Sequence, residues 1–246
     1  MFTRTTTGLV LTDDADRLLA SMRQVEDAVL ALERAAAAQD ERLEGPVRVT
    51  SPETFGVSYL APRLAGFGLS HPGVAIELMP AGAVLDLGRR EAELAVRIFR
   101  SKQENLVVRR AGAVRYGLYA AHTYLMKHPL RGRDSLDKHA MLGASEAKAI
   151  ETVWLKRLSP RARPKFVSDS SLALLAAARA SAGIAVLPRY LGDAEPALRR
   201  IPMPDEPSEP IWLTVHRDLQ ATPRVRALLD YLATTLAHDA ALLAGA

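Results

Sequence analysis

Gly45-Pro46-Val47-Arg48-Val49-Thr50-Ser51-Pro52-Glu53-Thr54 carries three structural instructions in ten consecutive residues. Gly-Pro stops a helix arriving from the N-terminal side. Val47 to Thr50 is a short β run, because branched side chains suit a pleated surface. Ser51-Pro52-Glu53-Thr54 then supplies the hydroxyls, the fixed φ of proline and the acid that open a helix. A strand that feeds directly into a helix is the repeating unit of an α/β fold.

Downstream the alternation continues. A helical stretch runs through Leu60, Leu64 and Phe67, with Pro62 predicting a kink or restart. Strands are expected at 74–79 and 94–99, with a polar helix around Asp86–Ala92 between them. Further strands are expected at 106–110, 114–121, 165–168, 184–187 and 211–216, and helices at 122–128, 149–157, 170–182 and 222–243. This order predicts parallel sheets joined by right-handed crossovers.

Upstream, residues 13–44 form the longest helical signal. Thr12 can cap it, and Asp13, Asp14 and Asp16 favour the positive end of its dipole. Leu18, Met22, Val25, Val29, Leu32, Ala36 and Leu43 recur at alternating steps of four and three, with Gln39 completing the row. That mean spacing keeps one stripe facing a partner helix, as in a coiled coil. The alternative is an amphipathic helix lying on its own domain. The flanks are acidic on one side (Glu26, Glu33, Asp40) and small on the other (Ser21, Ala28, Ala35), which leaves parallel and antiparallel pairing both open. Ahead of the helix, residues 1–12 read as a small hairpin around Gly8.

Composition narrows the function. Apolar residues make up 48% and charged residues 24%, so the chain is not disordered. With no cysteine there is no disulfide, zinc-thiolate site or thiol nucleophile. The first residues lack the apolar core of about 7–15 residues of a secretory signal, and no window reaches the roughly 18 apolar residues of a membrane span. A cytoplasmic location is expected. Residues 1–45 hold five basic and nine acidic residues, a balance of −4, so the rest carries +8 of the total +4. The acidic front segment is a poor DNA-binding surface by itself.

No phosphate-binding loop or dinucleotide fingerprint follows any strand, and the six histidines form no ligand pair, so no metal or cofactor is expected. Gly143-Ala-Ser145-Glu-Ala147 resembles a nucleophile elbow only weakly, because the final glycine is missing and no clear strand leads into it. No catalytic residues are expected, and the chain is not read as an enzyme. More informative are two hydroxyl-rich junctions, Thr50–Thr54 and Val167-Ser168-Asp169-Ser170-Ser171. Open α/β sheets bind ligands at such carboxyl ends, where helix N-termini favour an anion. The alternative is that these residues only cap helices.

In this order, the parts resemble the LysR-type bacterial transcriptional regulators. Met1-Phe2-Thr-Arg4-Thr-Thr-Thr-Gly8-Leu-Val-Leu-Thr12 resembles the wing that closes that family's winged helix-turn-helix, directly before its linker helix. Gly45-Pro-Val-Arg-Val-Thr50 resembles the start of its effector domain. Ala65-Gly-Phe67 to His71-Pro72-Gly73-Val74, Glu93-Leu-Ala-Val-Arg97-Ile98, Ala182-Gly183-Ile-Ala-Val-Leu187-Pro188 and Pro223-Arg-Val-Arg226-Ala through Tyr231-Leu232 follow in order. The resemblance covers essentially the whole chain. It departs at Glu93, where the family more often has Asp. It departs also at the front: the helix-turn-helix is absent, and Met1 falls where the family usually has Leu, so an internal or misassigned start is expected.

The resemblance implies a wing at 1–12, a linker and dimerisation helix at 13–45, and a two-lobed effector-binding domain at 46–246 like a periplasmic binding protein. Lobe one is expected at 46–117 plus 219–246, and lobe two at 118–218. The cleft is expected to draw on Ser51, Glu53, Thr54, Arg97, Phe99, His122, Asp169, Ser170 and His216. Arg97 suits bidentate pairing with a carboxylate, and an outward-facing arginine on a strand edge is the alternative. In the wing, Arg4, Thr5, Thr6 and Thr7 are positioned for phosphates, contacts that orient a protein without reading sequence. The implied function is a transcription regulator that senses a small-molecule effector such as a carboxylate, as a homodimer or homotetramer away from any membrane. It would bind DNA where a helix-turn-helix precedes the wing. The alternative is a stand-alone ligand-binding and dimerisation module without DNA-binding activity.

Overall fold

A computed structural model describes residues 2–5, 8–38, 43–80, 87, 91–147, 149–161 and 163–244. A hairpin opens the chain, β1 (Phe2–Thr5) pairing antiparallel with β2 (Gly8–Leu11). Helix α1 (Asp13–Ala38) follows, and the N–H of Ala15 donates to Thr12 Oγ1 at 3.3 Å, the cap expected from the sequence. Among the described side chains of α1 only Ala15 is fully buried, and the helix touches the short turn Arg217–Leu219.

β3 (Gly45–Ser51) lies between β4 (Val74–Pro80) and β5 (Leu94–Arg97) and runs parallel to both. Its Val47 and Val49 are fully buried. From β3 the chain enters a continuous helical run: α2 (Glu53–Phe55), a π-helical turn at Gly56–Leu60 and α3 (Ala61–Ser70). Pro62 falls in the first turn of α3, where it needs no N–H partner, so it restarts the helix. The helix expected around Asp86–Ala92 lies mostly outside the described residues. Glu93 locks the start of β5 to β3. Its carboxylate accepts from the Arg48 backbone N–H and from Arg48 Nη2, both at 2.7 Å.

β6 (Leu106–Ala121) joins the lobes. Its first part pairs antiparallel with β11 (Ser208–His216), which also pairs antiparallel with β5. Its last part pairs antiparallel with β9 (Ile184–Pro188) and with β10 (Leu198–Ile201). β9 is parallel to β7 (Met141–Gly143), and β7 to β8 (Phe166–Val167). The second lobe also holds α4 (His122–Lys127), α5 (Ile150–Leu158), α6 (Ser171–Arg179) and α7 (Arg189–Gly192). The chain ends in α8 (Pro223–His238) and α9 (Ala240–Ala244). Val225, Leu228, Leu229, Leu232 and Leu236 of α8 are buried at helical spacing.

Four expectations need correction. The sheet is mixed rather than parallel, because β6 and β11 run against their neighbours. The two strands expected at 106–110 and 114–121 are one: Ala111-Gly112 sits at a bulge where a Cβ on Gly112 would already touch Ile211. β11 pairs along its length within the first lobe, so the return crossing falls between Ile201 and Ser208, not at 218. Finally, α6 ends at Arg179, not 182. Ser181 adopts a left-handed φ of 60°, its N–H donates to the Ala178 carbonyl, and that of Ala182 donates to Ala177. This is a Schellman ending with serine where glycine is usual.

Candidate functional site

The carboxyl ends of β3, β5, β7, β8 and β9 converge on a crevice of about 700 Å³ between the lobes, within the usual range for a small-molecule site. Phe55 from the first lobe and Tyr190 from the second meet edge to face at 5.6 Å. Tyr116 lies where β6 passes between the lobes.

Arg97, the last residue of β5, lines the crevice but is only 5% exposed. Its Nη1 lies 3.4 Å from Thr50 Oγ1 and from the Val96 carbonyl, at the long limit for a hydrogen bond. Its Nη2 has no partner among the described residues. Burial lowers its pKa below the ordinary value, and no carboxylate among the described residues offsets that cost.

Acids face it. Burial pushes the Glu151 carboxyl above its ordinary 4.5, and the charges of Glu209 and Glu146 add to the shift. Burial likewise raises Glu209, although the Tyr116 hydroxyl donates to its Oε2 at 2.8 Å. The folded protein therefore holds the Glu151 proton more tightly than the unfolded chain does. The stability this supplies is complete below the ordinary carboxylate pKa and is lost as pH rises through the raised value. Glu151→Gln is accordingly expected to match the wild type in acid and to gain on it toward neutral pH in thermal melts. A difference that stays flat with pH would contradict the assignment.

Of the residues singled out in the sequence, Glu53, Thr54, Arg97, Phe99, Asp169 and Ser170 line this crevice together. Ser51 lies just beneath, fully buried with its hydroxyl on the Pro52 carbonyl. Capping does not account for the junction residues: Pro52 occupies the cap position of α2, and the Ser170 side chain caps nothing on α6. His122 and His216 lie outside the lining. Both follow strands that run antiparallel to their neighbours. Trp212 is the register partner of Arg97 and Val215 that of Leu94, so His216 falls at the far edge of the sheet. There its ring bonds Asn105 and the Asp218 N–H. His122, after β6, likewise lies toward the start of β9.

Phe55, Tyr116, Glu146, Glu151, Tyr190 and Glu209 line the crevice without having been singled out. Glu146 and Glu151 follow β7, the short strand that does lead into Gly143. Tyr190 follows β9 after Pro188, the same strand–proline–helix junction as Ser51-Pro52, so the rule that found one would have found the other.

Away from the crevice, Arg4 is exposed on β1, while Thr6, Thr7 and the Thr5 side chain fall outside the described residues. Leu18, Met22, Val25, Val29 and Leu32 of α1 are 43 to 72% exposed and Leu43 47%; the Ala36 side chain is outside the described residues. Among the described residues no cluster of His, Asp and Glu suits a metal, and no helix is long and apolar enough to cross a membrane.

Residues 40–237 match the LysR substrate binding domain family. The chain is 25% identical over 248 residues to the HTH-type transcriptional regulator CrgA of Neisseria meningitidis, covering 97% of this chain and 83% of that protein. It is 31% identical over 156 residues to an HTH-type transcriptional regulator of Haemophilus influenzae, a match spanning 61% of this chain and only 54% of that protein. Among solved structures, the CrgA regulatory domain superposes with a TM-score of 0.70 at 25% identity, over 78% of this chain and 99% of that one. The full-length Vibrio cholerae virulence activator AphB, at 19% identity, shares the fold with a TM-score of 0.69 over 95% and 83% of the two chains. The two lobes, their crossing strands and the crevice are thus those of a periplasmic-binding-protein-like regulatory domain, and the chain belongs to the LysR substrate-binding-domain family.

Proposed function

We propose that this chain is the sensing part of a LysR-type transcription regulator, and that it binds a small effector bearing an anionic group at Arg97. The observation that carries the reading is the Arg97 guanidinium, buried at the end of β5 beside the crevice, with Nη2 lacking a partner among the described residues. A buried cation without a counter-charge is costly, and an incoming carboxylate offsets that cost while making charge-assisted bonds. Glu53, Thr54, Asp169 and Ser170 would complete the effector contacts. Ligand control then requires different affinity for two arrangements of the lobes or subunits. The relatives' names support the transcriptional role, with the hairpin and Arg4 offering backbone contacts to DNA.

A thermal-shift screen against small aliphatic and aromatic carboxylates tests the reading. A ligand at a hundredfold excess over its Kd stabilises the folded state by about 2.7 kcal/mol, readily seen as a rise in Tm. A panel of carboxylates that leaves Tm unmoved would overturn it.

The exposed row on α1 supports self-pairing through that helix, since isolated large apolar side chains are ordinary but a continuous stripe marks an interface. Val29→Asp puts a charge at the middle of the stripe. It is expected to halve the particle mass in light scattering while leaving the effector domain folded by circular dichroism. An unchanged mass would mean that the stripe does not hold the assembly.

A further inference from the structure

The crevice carries one cation among its described lining residues, Arg97, and five acids: Glu53, Glu146, Glu151, Asp169 and Glu209. We infer that its ligand is an amino-carboxylate, whose acid end meets Arg97 and whose ammonium meets Glu151 and Glu209. The inference rests on the anion reading of Arg97 above and adds the second pole.

A wholly anionic ligand would satisfy Arg97 but enter a site where acids outnumber it, and the field of the wall would oppose it. An ammonium removes that conflict. Glu151 and Glu209 are the acids suited to receive it. Each is half-buried, the Glu209 charge acts on Glu151, and no cation pairs with either among the described residues. The Tyr116 hydroxyl bonds one oxygen of Glu209 and the backbone N–H of Glu151 bonds its own carboxyl, which leaves acceptor capacity on both side chains. Desolvation raises the pKa of both carboxyls, as expected of an anion pair awaiting a counter-charge. Phe55, Tyr116 and Tyr190 supply ring faces and edges beside the acids, a surrounding that favours an ammonium over a hydrated metal ion.

The two poles sit apart. Arg97 pairs in register with Trp212, three residues along β11 from Glu209. At about 3.3 Å per residue that is roughly 10 Å of backbone. The ligand therefore spans a few bonds between its charges, with its body against the rings.

Calorimetric titration of the whole chain with the twenty proteinogenic amino acids and with glycine, β-alanine, 4-aminobutyrate and 5-aminovalerate tests this. The compounds that bind are then compared with their N-acetyl and carboxamide derivatives. Each modification removes one charge and is expected to weaken binding by about tenfold to a hundredfold, the worth of a charge-assisted bond. Glu151→Gln and Glu209→Gln should each shrink the penalty for N-acetylation and leave the carboxamide penalty in place. Two variants guard against one failing to fold.

If plain or N-acetylated carboxylates bind as tightly as the amino-carboxylates, the ammonium pole is refuted and the anion reading stands. If amines bind regardless of a carboxylate, both the anion reading and this inference fail. If neither amino-carboxylates nor plain carboxylates bind, both fail together.

Discussion

Replacing Arg97 with Met is expected to raise the melting temperature of the ligand-free protein and to remove its response to an anionic effector. The two effects have one cause. The guanidinium is 5% exposed, its two Nη1 contacts are long at 3.4 Å, and its Nη2 has no partner. Its desolvation is therefore largely uncompensated, which is the direction in which its pKa is displaced. Met follows the same path through the side-chain volume without a charge. Replacing buried charges by packed apolar groups commonly stabilises, and about 1–2 kcal/mol is expected here. In a domain of this size that is a rise of about 3–6 °C. The effector, in turn, loses a bidentate charged partner, and its affinity should fall about a hundredfold or more. Stability up and response down distinguishes a binding cation from a structural one, for which both would fall. A variant that melts lower while still responding to carboxylates would place the anion site elsewhere.

What the sequence disclosed about the crevice follows from how each strand is connected. Glu53 and Thr54, Arg97, and Asp169 and Ser170 each follow a strand of parallel type, so the rule that ligands gather at carboxyl ends brought them together. His122 and His216 follow β6 and β11, which run antiparallel to their neighbours, and the same rule applied to an antiparallel strand points to the wrong edge. Nothing local marks that reversal. β6 and β11 carry buried runs like those of their neighbours, and only the pairing across some hundred residues of chain sets their direction. Glu209 was hidden by the same difficulty, since Pro207 and Pro210 make the start of β11 resemble a loop. Glu151 was hidden by brevity: β7 has three residues and offers no period to read. The α1 stripe was legible because its spacing is a property of one helix, and its exposure in the folded chain is what an unpaired seam would show.

Gly183→Ala is expected to damage the second lobe strongly for a single added methyl. The motif Ala182-Gly183-Ile-Ala-Val-Leu187-Pro188 gave no reason for its glycine; the packing does. A Cβ on Gly183 would overlap the Ala140 carbonyl oxygen and lie 2.9 Å from that carbonyl carbon. These are backbone atoms, unable to swing aside as the tip of a side chain can. The same oxygen accepts the Ile184 N–H at 2.9 Å, the bond that starts the pairing of β9 with β7. The methyl thus opens the ladder from which the Glu151 wall of the crevice descends. About 3 kcal/mol of stability should be lost, the upper range for overpacking, or about 10 °C in Tm. Gly68→Ala is the control of opposite sign. Gly68 lies inside α3, nothing stands within 4 Å of an added Cβ, and alanine favours the helix by about 0.5–1 kcal/mol. Thermal melts of the two variants should therefore shift in opposite directions. A Gly183→Ala protein that melts with the wild type would mean that β7 and β9 do not meet as described, and the acidic wall of the crevice would lose its footing with them.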